Sequence, residues 1–161
     1  MLRHAIGGMK AALADSMAIF APNANSYRRF RANSYAPVAS TWGVNNRTVA
    51  LRIPTGPADS RHVEHRICGA DANPYAVAAA VLAGVHHGLK HGIDPGPAVS
   101  GDAYQQKSHA PLPRDWLSAI DRFAESQFAR EYFGQRFVEV YCGIKRTESG
   151  RYFGEIPQQD Y

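Results

Sequence analysis

Two cysteines are too few to staple a fold. Cys68 and Cys142 are the only ones in 161 residues, their separation fits no zinc-binding spacing, and both are read as reduced thiols of a cytoplasmic protein. Long hydrophobic runs are missing too. The most apolar stretch, residues 76–85, is followed at once by His86, His87 and Lys90, which makes it a buried helix and excludes a membrane span. No signal-peptide pattern opens the chain, and no internal repeat or low-complexity segment interrupts it. Charged residues make up 20% and hydrophobic ones 45%, the proportions of a single globular domain. The net charge of +4 favours an anionic partner. The basic residues are scattered, however, and form no nucleic-acid motif, so neither nucleic acid nor membrane is an expected partner.

Between Asn45 and Arg66 it is negative charge that is scarce. Arg47, Arg52, Arg61 and Arg66 share this stretch with a single glutamate, Glu64. The sequence is strand-like, and alternate residues of a strand share a face. Val49, Leu51 and Ile53 are expected on one face and Thr48, Ala50 and Arg52 on the other. In the second segment Val63, His65 and Ile67 oppose His62, Glu64 and Arg66. Two such strands in one sheet build a wall of Arg52, Glu64 and Arg66. Guanidinium forks bind phosphate and carboxylate oxygens two at a time, so the wall suits a polyanion. The lone glutamate is either their counter-ion or one ligand of a metal.

Around this stretch the pattern alternates helix and strand. Leu2, Ile6, Met9, Leu13 and Met17 predict a helix from the first residues to Phe20. Residues 23–36 read as a loop, 37–42 and 48–53 as strands with Gly43 to Asn46 as their turn, and 62–67 as a third strand. Asn73-Pro74 opens a helix that Gly92 closes. A loop then runs to Pro113. Two helices follow, 115–126 with Trp116, Ile120 and Phe123 buried, and 134–148 with Phe137, Tyr141 and Ile144 buried; a short turn near residues 130–133 separates them. Tyr27, Phe30 and Trp42 are expected in the core, and His4, His86, His87, His91 and His109 at the surface or at helix ends. The class is α+β, part of a curved antiparallel sheet backed by helices.

In order, the chain carries Asn25-Ser26-Tyr27-Arg28-Arg29-Phe30, Trp42-Gly43, Asn46-Arg47-Thr48, Leu51-Arg52-Ile53-Pro54, Val63-Glu64-His65-Arg66 and Asp71-Ala72-Asn73-Pro74-Tyr75. These motifs resemble the C-terminal part of the catalytic domain in the glutamine synthetase family, and the resemblance covers the whole chain. It implies an ATP-dependent ligase that joins the γ-carboxylate of glutamate to an amine through a γ-glutamyl phosphate. It implies that Arg29 and Arg66 hold the carboxylates of glutamate, that Arg47 and Arg52 meet the phosphates and the phosphoryl group in transfer, and that Glu64 ligates one Mg2+ or Mn2+. Ammonia-using members carry a glutamate just before Ala-Pro-Val, on a flap that positions ammonium. Here that position is Tyr35, so the resemblance is closer to the γ-glutamylpolyamine synthetases, with an organic amine as acceptor. His62 stands where ammonia-using members have an arginine.

The resemblance also implies that something is missing. The family's active site lies between subunits of a homo-oligomeric ring, and its other metal ligands come from strands upstream of these motifs. With its first residues already helical and the family's last helix absent, the chain is expected to be a fragment of a longer ligase, inactive and prone to self-association alone. The alternatives are a non-catalytic anion- or nucleotide-binding remnant of the same fold, and an ammonia-using glutamine synthetase.

Overall fold

The computed structural model describes residues 1–106 and 109–155. The opening helical pattern is interrupted once. Helix α1 spans Leu2–Ala12, and a separate single turn, α2, spans Met17–Phe20. Between them Asp15 is drawn away to helix α4 (Trp116–Glu125), where its carboxylate accepts from Arg122 Nε at 2.7 Å and from Ser126 Oγ at 2.8 Å. Ile6, Met9, Leu13 and Met17 are buried as the spacing predicts.

Helix α3, Pro74–His91, has the boundaries its caps dictate. The Asn73 side chain accepts from the backbone N–H of Tyr75 and Ala76, and Gly92 ends the helix in the left-handed conformation, φ 61°. α1 crosses α3 where both carry glycines. A Cβ on Gly88 would collide with the carbonyl of His4, and one on Gly8 with the carbonyl of Gly84. Only backbone fits at this crossing.

Helices α5 (Gln127–Phe133) and α6 (Gln135–Gly154) complete the helical layer. The expected turn at residues 130–133 is therefore helical. Ser126 caps α5 through its Oγ, which accepts from Ala129 N at 3.0 Å. The buried face of α6 differs from the expected one except at Tyr141, which packs against the core and donates its hydroxyl to the Ala18 carbonyl. Val138, Cys142 and Ser149 are buried, whereas Phe137 is 39% and Ile144 52% exposed. Small side chains let α6 approach α4, and Phe137 instead stacks at the rim between Phe133 and Tyr141.

The strands are shorter than the sequence predicts: β1 Trp42–Val44, β2 Leu51–Ile53 and β3 Glu64–His65, in the order β1-β2-β3. β2 and β3 are antiparallel, pairing Leu51 with His65 and Arg52 with Glu64. β1 and β2 are parallel, pairing Trp42 with Leu51, so the Gly43 to Asn46 turn does not close a hairpin. Asn46 is the reason. Its Nδ2 donates to the carbonyls of Val99 and Gly101, while its Oδ1 accepts from Thr48 N and Oγ1. The segment is thereby folded back against the loop after α3. Val49 leaves its expected companions and packs in a separate small cluster with Val99 and Ala103. Residues 37–41 form no strand beyond one bridge, Ala39 with Pro111.

The α+β class holds, with an open sheet backed by helices. The main core joins α1 and α2 to α4, α6 and the sheet through Leu13, Met17, Leu51, Ile67, Ile120 and Phe123. Tyr27 and Trp42 are buried in it as expected, and Phe30 packs against it. Both cysteines are free thiols. Among the described residues no helix is long and apolar enough to cross a membrane. Lys107 and Ser108 of the expected Gly92 to Pro113 loop, and the tail from residue 156, lie outside the described residues.

His65 links the sheet to the core. Its ring tilts against Phe20 at 4.4 Å, and its Nδ1 is buried without a partner among the described residues. Burial pushes its pKa down from 6.5 to about 4. The unfolded chain therefore binds this proton at higher pH than the folded one. Stability due to neutral His65 is intact above the unfolded value and falls as pH drops through the window between the two, by up to about 3 kcal/mol. Denaturant midpoints measured from about pH 7 to about pH 4 should fall in this window, and His65→Phe should flatten the slope there.

Candidate active site

The register between β2 and β3 places Arg52 opposite Glu64, and the chain then turns Arg66 onto the same carboxylate. Arg52 Nη1 donates to Glu64 Oε2 at 3.0 Å, and Arg66 Nη1 lies 3.7 Å from Glu64 Oε1. The two arginine side chains are 17% and 15% exposed. Each is held by a second contact. Arg52 Nη2 donates to Asn45 Oδ1 at 2.7 Å, and Arg66 Nη2 donates to the carbonyl of Tyr35 at 3.0 Å. The wall expected from strand alternation is therefore present.

Arg29 arrives from a 3-10 turn, Ala24–Arg29, capped at Asn23 by a reciprocal pair of hydrogen bonds with Ser26. Its Nη2 donates to the carbonyl of Ile67, next to Arg66, and its guanidinium lies over the Phe30 ring at 4.6 Å. Burial pulls the Arg29 pKa below its ordinary value, opposed by the charge of Asp71. Burial would raise the Asp71 carboxyl, but hydrogen bonds from Ser26 Oγ, its own backbone and Asn23 outweigh it and leave the pKa lowered. Asp71 accepts from Ser26 Oγ at 2.5 Å and from Asn23 Nδ2 at 2.9 Å.

A guanidinium carries five donors. The Nε–H groups of Arg29, Arg52 and Arg66 are all buried without an acceptor among the described residues. Burying donors unpaired is costly, and an oxygen-rich partner could satisfy all three.

The other expected residues stand further out. Arg47 is exposed on the segment between β1 and β2 and has no ion pair among the described residues. The Tyr35 side chain is 65% exposed, on a loop with left-handed backbone at Asn33 (φ 63°) and Tyr35 (φ 58°). Ser34 stitches that loop by donating to the carbonyls of Arg29 and Arg31. Asn45, Asp71 and the Tyr35 carbonyl were not foreseen as parts of the site. Asn45 adjoins the quoted Asn46-Arg47-Thr48 and Asp71 opens the quoted Asp71-Ala72-Asn73-Pro74-Tyr75, and that placement is the available signal.

Glu64 does not make a metal site by itself. Each of its oxygens faces a guanidinium, and among the described residues no group of three His, Cys, Asp or Glu side chains converges on one point. A divalent cation at Glu64 would need ligands from elsewhere.

The glutamine synthetase catalytic-domain family matches the chain over residues 1–161. The chain belongs to the glutamine synthetase family. Within it, the chain is 44% identical over 148 residues to gamma-glutamylputrescine synthetase PuuA of Escherichia coli, covering 92% of this chain and 31% of that protein. It is 39% identical over 145 residues to glutamate–isopropylamine ligase of a Pseudomonas species, covering 89% and 32%. Its fold superposes on GmaS in complex with ADP at a TM-score of 0.85 and 27% identity, over 99% of this chain and 38% of that one. Glutamate–amine ligases are thus among this family member's relatives. The chain spans about a third of the length of the curated relatives it matches.

Proposed function

We propose that this chain is the C-terminal portion of the catalytic domain of an ATP-dependent glutamate–amine ligase, and that the arginine wall is its contribution to the active site. The observation that carries the proposal is the convergence of Arg52, from β2, and Arg66, just past the end of β3, on the Glu64 carboxylate, with Arg29 alongside.

The chemistry needs such a wall. A carboxylate is a poor electrophile because its oxygen leaves badly. In the first step an oxygen of the γ-carboxylate attacks the terminal phosphorus of ATP, and the bond to the bridging oxygen of ADP breaks. In the second step the amine nitrogen attacks the acyl carbon, phosphate leaves, and the nitrogen gives up a proton. Phosphoryl transfer asks the protein chiefly for positioning and for positive charge around spreading negative charge. Arg47 and Arg52 take the phosphates and the group in transfer; Arg29 and Arg66 take the carboxylates of glutamate. Mg2+ or Mn2+ supplies charge neutralisation when bound, with Glu64 offering one carboxylate and the remaining ligands coming from other parts of the ligase. The GmaS relative that binds ADP supports the nucleotide. The ring of identical subunits typical of the family supplies the rest of the site.

Tyr35 sets the acceptor. A phenol, which titrates near pH 10, offers ammonium no carboxylate, and the relatives named for putrescine and isopropylamine support an organic amine. The test is ADP release from the complete ligase with glutamate and a panel of putrescine, isopropylamine and ammonium. Turnover with an organic amine well above that with ammonium is expected; turnover with ammonium alone would sink the acceptor assignment. In the same assay Tyr35→Glu should shift the preference towards ammonium by about tenfold or more, the scale of one added charge contact. ADP release by the isolated 161-residue chain would count against its being only part of the site.

A further inference from the structure

Behind the loop that carries Tyr35 lies a cavity of about 410 Å³. Its walls are apolar, formed by Phe30, Val38 and Leu112, and its polar groups are Arg31, Arg114 and Tyr104. This size falls within the range of small-molecule sites, which combine apolar walls with a few placed polar groups.

The charge is one-sided. Neither Arg31 nor Arg114 has an ion pair or a side-chain hydrogen bond among the described residues. The nearest carboxylate in sequence, Asp115, is engaged at the start of α4, accepting from Ser118 N and Oγ. No acidic residue lines the cavity. Tyr104 ties it to the loop, since its hydroxyl donates to the carbonyl of Ala36 at 2.8 Å. Arg31, at the other end of the loop, has its carbonyl held by Ser34 at 2.6 Å.

We propose that this cavity is a second binding site, for a small molecule with an apolar body and one phosphate or carboxylate group. The two guanidiniums take the anionic group, and Phe30, Val38 and Leu112 take the body. A ligand here touches both ends of the segment whose Tyr35 carbonyl holds Arg66, and so bears on the arginine wall without occupying it. The site is independent of the ligase reading.

The test is calorimetric titration of the full chain with phenyl phosphate as probe and inorganic phosphate as comparison. Saturable binding of phenyl phosphate is expected, tighter than that of inorganic phosphate. Arg31→Gln and Arg114→Gln should each weaken it by about tenfold or more, the scale of a lost charge-assisted fork. Both residues are exposed, so their replacement leaves the core alone. Arg47→Gln, which alters the proposed phosphate-binding residues, should leave it unchanged. Loss of binding in Arg47→Gln with no change in the Arg31 and Arg114 variants would place the probe on the arginine wall and overturn the proposal. Equal affinity for the two probes would overturn the assigned ligand class. Absence of saturable binding at millimolar probe would overturn the site itself.

Discussion

Gly88→Val is expected to abolish stable folding, and Gly88→Ala to cost at least about 3 kcal/mol, the upper end of what overpacking costs in a closed interior. The cause is the crossing of α1 and α3. A methyl group at residue 88 points at the main chain of α1, into the carbonyl of His4 and to 2.6 Å from Gly8 N. Backbone cannot rotate out of the way as a side chain can, so the helices must separate. Separation would draw Ile6 and Met9, both buried, out of the core. Gly143 on α6 provides the control, because a Cβ there meets nothing within 4 Å. Gly143→Ala should be neutral or stabilising, given alanine's higher helix propensity. Denaturant midpoints of the two variants, compared with the parent, check both. A Gly88→Ala midpoint equal to that of the parent would show that the helices do not cross this closely.

The second large effect concerns catalysis. In the complete ligase, Arg52→Lys is expected to lower turnover by about 10²–10³-fold, the scale seen when one preorganised donor to developing charge is removed. Lysine keeps the charge and can still reach Glu64. It has no planar fork, so it cannot hold Glu64 and Asn45 together while presenting further donors to a phosphoryl group. The variant should fold normally, because the pair with Glu64 survives in part, and a thermal melt separates this from a loss of structure. Turnover within a few-fold of the parent would remove Arg52 from the phosphoryl-transfer machinery.

The sequence carried the parts of the site that depend on side-chain alternation. Arg52 and Glu64 fall on one wall because the antiparallel register of β2 with β3 pairs them, and Arg66, just past the end of β3, is turned onto the same carboxylate. Parts that depend on main-chain acceptors left no trace. A carbonyl has the same chemistry in every residue, so nothing in Tyr35 or Ile67 announces that its oxygen will hold an arginine. The parallel pairing of β1 and β2 was hidden for a related reason. Glycine and asparagine between two apolar runs favour a hairpin locally, and only the long-range bonds of Asn46 to Val99 and Gly101 override it. The buried face of α6 is not set by hydrophobicity alone: Val138, Cys142 and Ser149 are buried, while Phe137 and Ile144 are exposed. Helix α5 was legible in principle, since Ser126 is a good cap, but seven residues give too short a pattern to read.

Arg66 grips the backbone at Tyr35, not its side chain. The proposed acceptor position is therefore anchored by an atom that every amino acid possesses. Its side chain can be exchanged while Arg66 keeps its footing, provided the newcomer tolerates the left-handed backbone there. In the proposed ligase, such an arrangement would separate what is activated from what is attached, and would let one scaffold diversify among amines without first rebuilding its donor side.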